Sequence, residues 1–252
     1  MPVRIAVIAE AAADWRQVCE MVDRKIRDHA PDWWDEQQLG AEREYCGLAP
    51  GTPFTRWCDL RNLPSPEGAL RRGGYIGFGA RLHLHSDYPL GRLALLTSVL
   101  AKPRVDAVIL LRDMDQQPEE RAASLTQARE EIPAHALTIV LALPRAKREA
   151  WVLNGFDPEN AGEQAAFAEL HADLGFDPRL RAEQLDAMEH GAKRDAKRVL
   201  RRLIGDDHER EARCWREASW AVLRERGVES RLTQFLAEVK ERLVPLVTGL
   251  RA

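Results

Sequence analysis

The chain of 252 residues is 45% hydrophobic and 31% charged, with a formal net charge of −3. This length suits one large α/β domain, or one domain with a helical appendage. So small a net charge excludes nucleic-acid binding by bulk charge, which leaves a local basic patch as the only means of binding. No apolar run approaches the roughly 20 residues of a membrane span, so we expect no membrane association.

The start of the chain and its cysteines predict a cytoplasmic protein. The first apolar run ends in Glu10 and predicts a strand, not a signal peptide. None of the four cysteines forms a CxxC pair, and the chain is too long to depend on disulfides.

Short, nearly continuous aliphatic runs predict three buried parallel strands, at residues 3–8, 105–111 and 137–143. A weaker candidate strand covers residues 55–60. Apolar residues at helical spacing predict helices at residues 14–29, 90–101 and 118–131. Because strands alternate with helices, the expected fold class is α/β, with a parallel sheet sandwiched by helices.

The strand signal disappears after about residue 155. We therefore expect an α/β domain at residues 1–155 and an all-helical C-terminal region at residues 156–252. Helices of that region are expected near residues 159–172, 178–189, 193–204, 207–226 and 229–250. Residues 36–87 are dense in Gly and Pro, so we expect a loop-rich insertion there.

Acidic residues follow two of the predicted strands. The first strand runs into Glu10, with Asp14 at the start of the next helix, and the second runs into Asp113 and Asp115. Ligands bind at the carboxyl ends of the strands in an open parallel sheet. Since residues i and i+2 of an extended chain face the same side, Asp113 and Asp115 can converge while Met114 points away. If the two strands are neighbours, Glu10 comes within reach of that pair.

Carboxylates that lie close together repel one another unless a proton or a cation intervenes. Mg²⁺, or Mn²⁺ in its place, suits such a cluster because it prefers hard oxygen ligands and keeps several waters. The chemistry indicated is metal-assisted phosphoryl transfer or phosphodiester hydrolysis. The alternative is that each side chain only caps backbone N–H groups at a strand end or a helix start.

A further acidic residue, Glu149, follows the third predicted strand and a short basic loop in the sequence PRAKREAWVLNG. One interpretation is that Glu149 adds a metal ligand or positions a water, while Trp151 packs inward. The alternative is a surface glutamate on a short helix.

Two stretches carry candidate contacts to nucleic acid. In GAKRDAKRVLRRL, basic residues including Lys193, Lys197 and Arg198 line one helix face, which could neutralise phosphates. An ordinary solvated face is the alternative, because acidic residues flank it. A Gly-rich stretch interleaves aromatic residues, which could stack on bases, with three arginines: Arg71, Arg72 and Arg81.

The order strand–Glu10–helix, then strand–Asp113-x-Asp115–helix, resembles the TOPRIM fold of topoisomerases, primases and recombination proteins. VIAEAAAD resembles the VEGxxD/E opening of stand-alone members related to the overcoming-lysogenisation-defect (OLD) nucleases, and ILLRDMD resembles their DxD strand. LALPRAKREAWVLN is similar to an element of small TOPRIM-like proteins of bacterial phage-defence loci. KRDAKRVLRRL resembles the Lys-containing helix that follows in some of them.

The resemblance implies that Glu10, Asp113 and Asp115 bind Mg²⁺, with Asp14 and Glu149 as further acidic candidates. It implies that a lysine of the basic stretch contacts the phosphate. It also implies a nuclease of antiviral defence that acts on DNA or RNA, beside an ATPase partner protein.

Two positions depart from the family pattern. Ala11 stands where glycine usually follows the first glutamate, and Asn154 stands where an acidic residue often follows the EAW helix. Three functions stay open on the sequence: a Mg²⁺-dependent nuclease, a non-catalytic binding subunit of a multi-protein complex, and a small-molecule phosphohydrolase.

Overall fold

The structure, a computed structural model, describes residues 1–63 and 86–250. In these residues it forms a five-stranded sheet in which every strand pairing is parallel. The predicted α/β class, a parallel sheet flanked by helices, is confirmed. The five strands are β1 (Val3–Ala9), β2 (Arg43–Cys46), β3 (Thr55–Arg56), β4 (Ala107–Leu111) and β5 (Thr138–Ala142). The three predicted aliphatic runs correspond to β1, β4 and β5.

The strand order reverses direction between β1 and β4. The path across the sheet is β2-β1-β4-β5, and β3 pairs with the end of β1. The chain therefore moves to one side of β1 to form β2, and returns to the other side to form β4, where Ile8 lies opposite Leu110. In open parallel sheets, ligands bind outside the carboxyl ends of the strands at such a reversal.

Internal contacts divide the chain into two compact units. The first unit comprises Met1–Arg112, Glu119–Ala142 and Ala237–Ala252, and the second comprises Asp113–Pro118 and Leu143–Leu236. The sequence predicts two consecutive domains that meet at residue 155, whereas each of these units is built from separate segments of the chain. The predicted boundary stays a prediction.

The first unit holds the sheet together with helices α1 (Ala12–Arg27), α2 (Glu36–Glu42), α3 (Asp87–Val99) and most of α4 (Pro118–Glu130). Three of them match predicted helices to within three residues at each end. The fourth, α2, lies with β2 in the segment that we expected to be loop-rich. The weaker strand candidate is only partly a strand, because β3 is followed by a 3₁₀ helix at Trp57–Asn62.

Polar side chains attach β2 to α1. The guanidinium of Arg43 donates to both carboxylate oxygens of Asp23, at 2.7 and 2.6 Å, and the Tyr45 hydroxyl donates to Asp23 at 2.9 Å. Burial is the main cause that raises the pKa of Tyr45 well above its ordinary value, which keeps the hydroxyl protonated as a donor. A short and polar strand is thus stabilised by side-chain hydrogen bonds, not by aliphatic burial alone.

The longer segment of the second unit, Leu143–Leu236, is mainly helical. Its helices are α5 (Arg148–Asn154), α6 (Ala161–Leu174), α7 (Ala196–Ile204), α8 (His208–Arg216), α9 (Trp220–Arg226) and the first part of α10 (Leu232–Glu238). A π-helical turn at Val239–Leu243 and α11 (Val244–Thr248) follow in the first unit. No helix in the described ranges is both long enough and apolar enough to cross a membrane.

One predicted helix of this region is wrong and another is divided. The segment 178–189 is not an α-helix: it contains a 3₁₀ turn at Ala182–Gln184, and Asp186 forms an isolated antiparallel bridge with Asp195. Near its start, the Asp177 carboxylate accepts hydrogen bonds from the backbone and side chain of Arg179, and such local bonds favour a turn over a helix. The predicted helix at 207–226 is split into α8 and α9, because Ser219 caps a new helix by accepting from Val222 N–H at 3.3 Å.

Candidate functional site

The two acidic segments follow β1 and β4, which are neighbouring strands of the sheet. β1 and β4 pair directly, so the segments after both strands begin at the same edge of the sheet. Glu10 follows β1 in the first unit, whereas Asp113 and Asp115 belong to the second unit. The structure therefore defines two local arrangements, one in each unit.

In the first unit, Glu10 is paired with an arginine. Arg112 Nη1 donates to Glu10 Oε1 at 2.9 Å. The Arg112 guanidinium also lies 5.4 Å from the Trp57 ring centroid, and its Nη2 lies 3.5 Å from the Asp87 carboxylate. The sequence interpretation missed Arg112. In the structure Ile8 pairs with Leu110, and the same register extended by two residues sets Arg112 opposite Glu10.

Asp14 caps a backbone N–H group, as the alternative to a metal site predicts. Its Oδ2 accepts a hydrogen bond at 2.8 Å from the backbone N–H of Ala11, the residue that precedes α1. Ala11 itself has φ −143° and ψ 167°, an extended conformation that does not need glycine. Alanine in place of the glycine that TOPRIM-like proteins usually have therefore causes no backbone strain at this position.

In the second unit, the aspartates alternate with a buried residue as predicted. Met114 is 0% exposed, while Asp113 and Asp115 are both half-buried. The Met114 N–H donates to the Pro144 carbonyl at 2.9 Å, which fixes the segment. Asp113 Oδ1 accepts at 3.0 Å from the backbone N–H of Arg148, the first residue of α5.

Glu149 is buried, so the interpretation as a surface glutamate is wrong. Its residue exposure is 5%, and its Oε2 atom is buried without a hydrogen-bond partner among the residues that the structure describes. The other oxygen lies 3.8 Å from Arg148 Nη2, and the same guanidinium donates to Glu211. Trp151 packs inward as predicted, since it is 0% exposed and stacks on Phe235 with ring centroids 5.0 Å apart.

These residues fit a magnesium ion only in part. No group of three or more His, Cys, Asp or Glu side chains in the described ranges could hold a metal ion. Mg²⁺ needs fewer protein ligands, because it is commonly held by one or two carboxylates together with waters and substrate phosphates. Asp113 and Asp115 are two half-buried carboxylates on one segment of the second unit, and Glu149 Oε2 is an unsatisfied buried acceptor in the same unit.

The basic residues of the C-terminal region are largely paired with acids. Lys193 and Arg198 both approach Asp173, at 3.5 and 3.9 Å. Arg202 pairs with Glu169 at 2.7 Å, and Lys197 is exposed on α7. Much of the positive charge is therefore offset locally, and the predicted phosphate contacts stay a prediction. The other basic candidates lie outside the described residues: Arg71, Arg72 and Arg81.

Asn154 has a structural role that the sequence interpretation missed. It is 0% exposed, and its Nδ2 donates to the carbonyl oxygens of Arg179 and Arg226, at 2.9 and 3.0 Å. Its Oδ1 accepts from the Ser230 hydroxyl at 2.6 Å. Two of these bonds need a side-chain donor, which an aspartate lacks.

Two cavities of about 330 and 550 Å³ lie in the first unit. Residues around Arg4, Cys46 and Lys102 line the smaller cavity, and residues around Pro133 and Arg242 line the larger one. Neither cavity is lined by a predicted site residue. The predicted site residues that the structure describes therefore lie outside both cavities.

No protein-family model, no curated protein and no solved structure matches the chain.

Proposed function

We propose that this chain is a TOPRIM-like, Mg²⁺-dependent hydrolase of nucleic-acid phosphodiester bonds. The observation that supports it best is the strand end after β4, where Asp113 and Asp115 flank a fully buried Met114. Two carboxylates that follow a buried parallel strand match the one or two carboxylates that commonly hold a hydrated magnesium ion.

In this proposal Asp113 and Asp115 hold the ion. When bound, the ion would activate a water and stabilise the negative charge that develops on phosphorus. The Arg148 N–H fixes the orientation of the Asp113 carboxylate. Glu149 supplies a buried acceptor oxygen, the kind of group that takes a proton in general-base catalysis.

The remaining parts of the proposal come from the TOPRIM resemblance. These are nucleic acid as the substrate, an ATPase as the partner protein and an antiviral setting, while the proposed cytoplasmic location comes from the cysteine content of the sequence. Glu10 belongs to the first unit, and its expected contribution as a ligand is tested by the variant Glu10→Gln.

A cleavage assay tests the proposal. Linear duplex, plasmid and single-stranded nucleic acids are incubated with the protein and Mg²⁺ or Mn²⁺. We expect Asp113→Asn and Asp115→Asn to lower the cleavage rate at least about 100-fold, since loss of one charge-stabilising group at an active site has an effect of that size. Both variants keep an oxygen that accepts a hydrogen bond, which limits effects on folding.

Glu120→Gln is the matched control, because Glu120 is an exposed carboxylate on the first turn of α4. Its rate should equal that of the unmodified chain. Cleavage that persists in both aspartate variants would contradict the proposal.

A second function, a non-catalytic nucleic-acid-binding subunit, is favoured by one specific observation. The ion pair with Arg112 already neutralises Glu10 without a metal ion. For this function, the same nucleic acids would bind without cleavage under every metal condition, and Asp115→Asn would bind as tightly as the unmodified chain.

A further inference from the structure

Trp33 is a large aromatic side chain on the turn between α1 and α2, and it is 71% exposed. Hydrogen bonds tie the turn on both sides of it. The Trp34 N–H donates to the Pro31 carbonyl at 2.9 Å. The Asp35 carboxylate accepts from the Gln38 N–H at 2.8 Å, which caps the start of α2. The Trp34 ring meets the Trp33 ring edge to face, with centroids 6.1 Å apart, so the fold presents Trp33 to solvent on a supported turn.

The segment 27–36, which we call the Trp33 turn, is strongly acidic. It contains one arginine and four exposed carboxylates, which gives it a formal charge of −3 with His29 neutral. The carboxylates belong to Asp28, Asp32, Asp35 and Glu36. Arg27 donates to Glu36 at 3.1 Å, and therefore offsets one of the four negative charges.

An exposed indole among carboxylates suits a partner that carries cations. The face of the indole ring attracts a guanidinium or an ammonium group, and the carboxylates accept hydrogen bonds from it. The same carboxylates repel phosphates, so the Trp33 turn disfavours nucleic acid. Arginine suits the turn better than lysine, because its planar guanidinium stacks on a ring and donates to a carboxylate as a fork. The chain contains this arrangement internally, where Arg112 lies over the Trp57 ring and donates to Glu10.

We infer that the Trp33 turn is a docking surface for an arginine-rich segment of a partner protein. Trp33 is the anchor, since tryptophan is among the residues that contribute most to binding at protein interfaces. The carboxylates attract the partner and select its charge. The inference is independent of the nuclease function, because the Trp33 turn lies in the first unit, whereas Asp113, Asp115 and Glu149 belong to the second.

Fluorescence anisotropy of a labelled octa-arginine peptide, titrated with the full chain at low salt, provides the test. We expect Trp33→Ala to weaken binding about five- to thirtyfold, the loss typical of an aromatic anchor. Trp33→Phe should keep part of the affinity, because phenylalanine also offers a ring face to a cation. Asp32→Asn should weaken binding about two- to fivefold and make it less dependent on salt. An octa-lysine peptide should bind more weakly than octa-arginine.

Two other exposed side chains provide matched controls. Met188→Ala removes an exposed apolar side chain of the second unit, and Glu120→Gln removes an exposed carboxylate of the first. Neither change should alter the affinity for octa-arginine. Circular dichroism should show the same fold for every variant, because Trp33 and Asp32 are both exposed.

Absence of octa-arginine binding at low salt would overturn the inference, as would equal affinities of the unmodified chain and Trp33→Ala. Two other occupants of the turn are distinguished with the same variants. If a single-stranded oligonucleotide bound through Trp33 more tightly than octa-arginine does, the turn would contact nucleic acid. If analytical ultracentrifugation showed that the unmodified chain self-associates and that Trp33→Ala does not, the occupant would be a second copy of the chain. Either result would overturn the inference.

Discussion

Replacement of Arg210 by methionine should lower the free energy of unfolding by about 3–5 kcal/mol, the usual effect of breaking a buried ion pair from one side. Arg210 is 4% exposed, and its guanidinium donates to both oxygens of Glu163 at 2.9 Å. It also donates to the Asp157 carbonyl at 2.6 Å and lies over the Phe156 ring. Methionine fills much of the volume but leaves the buried Glu163 carboxylate without its main partner.

Chemical denaturation monitored by circular dichroism measures this loss. The matched control is Arg213→Met on the same helix, because Arg213 forms a more exposed ion pair with Glu159. The control should change stability by less than about 1 kcal/mol. If both variants lowered the free energy of unfolding equally, the buried Arg210–Glu163 ion pair would not stabilise the fold more than the exposed pair does.

The Arg210–Glu163 ion pair should also make the free energy of unfolding depend on pH. Hydrogen bonds from the Arg210 guanidinium are the main cause that lowers the pKa of Glu163 below its ordinary value. A carboxyl group whose pKa is lower in the folded state contributes stability that is fully present above its unfolded pKa, about 4.3. That contribution is lost as the pH falls through the folded pKa, and Arg210→Met should show a smaller loss over the same range.

The substitution Asn154→Asp, which introduces the acidic residue that TOPRIM-like proteins often have at this place, should destabilise the chain by about 3 kcal/mol or more. It removes both hydrogen bonds that the amide donates to the Arg179 and Arg226 carbonyls. It also places a carboxylate at a position with 0% exposure. The loss should appear as a lower midpoint in urea denaturation.

Asn160→Asp is the control for the same chemical change. Asn160 precedes α6 and its side chain accepts from the Glu163 N–H at 2.9 Å, a capping role that aspartate fills equally well. Its stability should change by no more than about 0.5 kcal/mol. If Asn154→Asp were as harmless as the control, position 154 would tolerate the acidic residue of TOPRIM-like proteins.

Aliphatic strands were predictable from the sequence, and polar elements were not. The runs that became β1, β4 and β5 are buried because of their own composition. β2, by contrast, has the sequence REYC, and its attachment depends on Asp23, twenty residues before Arg43 in the chain. A pattern within one segment cannot reveal a bond to another. The missed turn after residue 177 has a similar cause, since a side-chain bond from Asp177 overrides helical spacing.

The alternation of buried and half-buried residues at the candidate site was predictable from the sequence. The ion-pair partners of its acidic residues were not. The pattern of two aspartates around a methionine correctly predicted which residue is buried. The Arg112–Glu10 pair follows from the register of β1 and β4, which the sequence does not state. The burial of Glu149 was also missed, because it arises from the packing of α5, where every residue is buried.

Anomalous diffraction from crystals soaked in Mn²⁺ tests the central claim most directly, because it locates the ion without any assay of activity. The proposed function predicts a Mn²⁺ peak at about 2.0–2.2 Å from a carboxylate oxygen of Asp113 or Asp115, lost in the variant Asp115→Asn. Crystals that bind Mn²⁺ only elsewhere, or that show no peak at this strand end at saturating Mn²⁺, would contradict it.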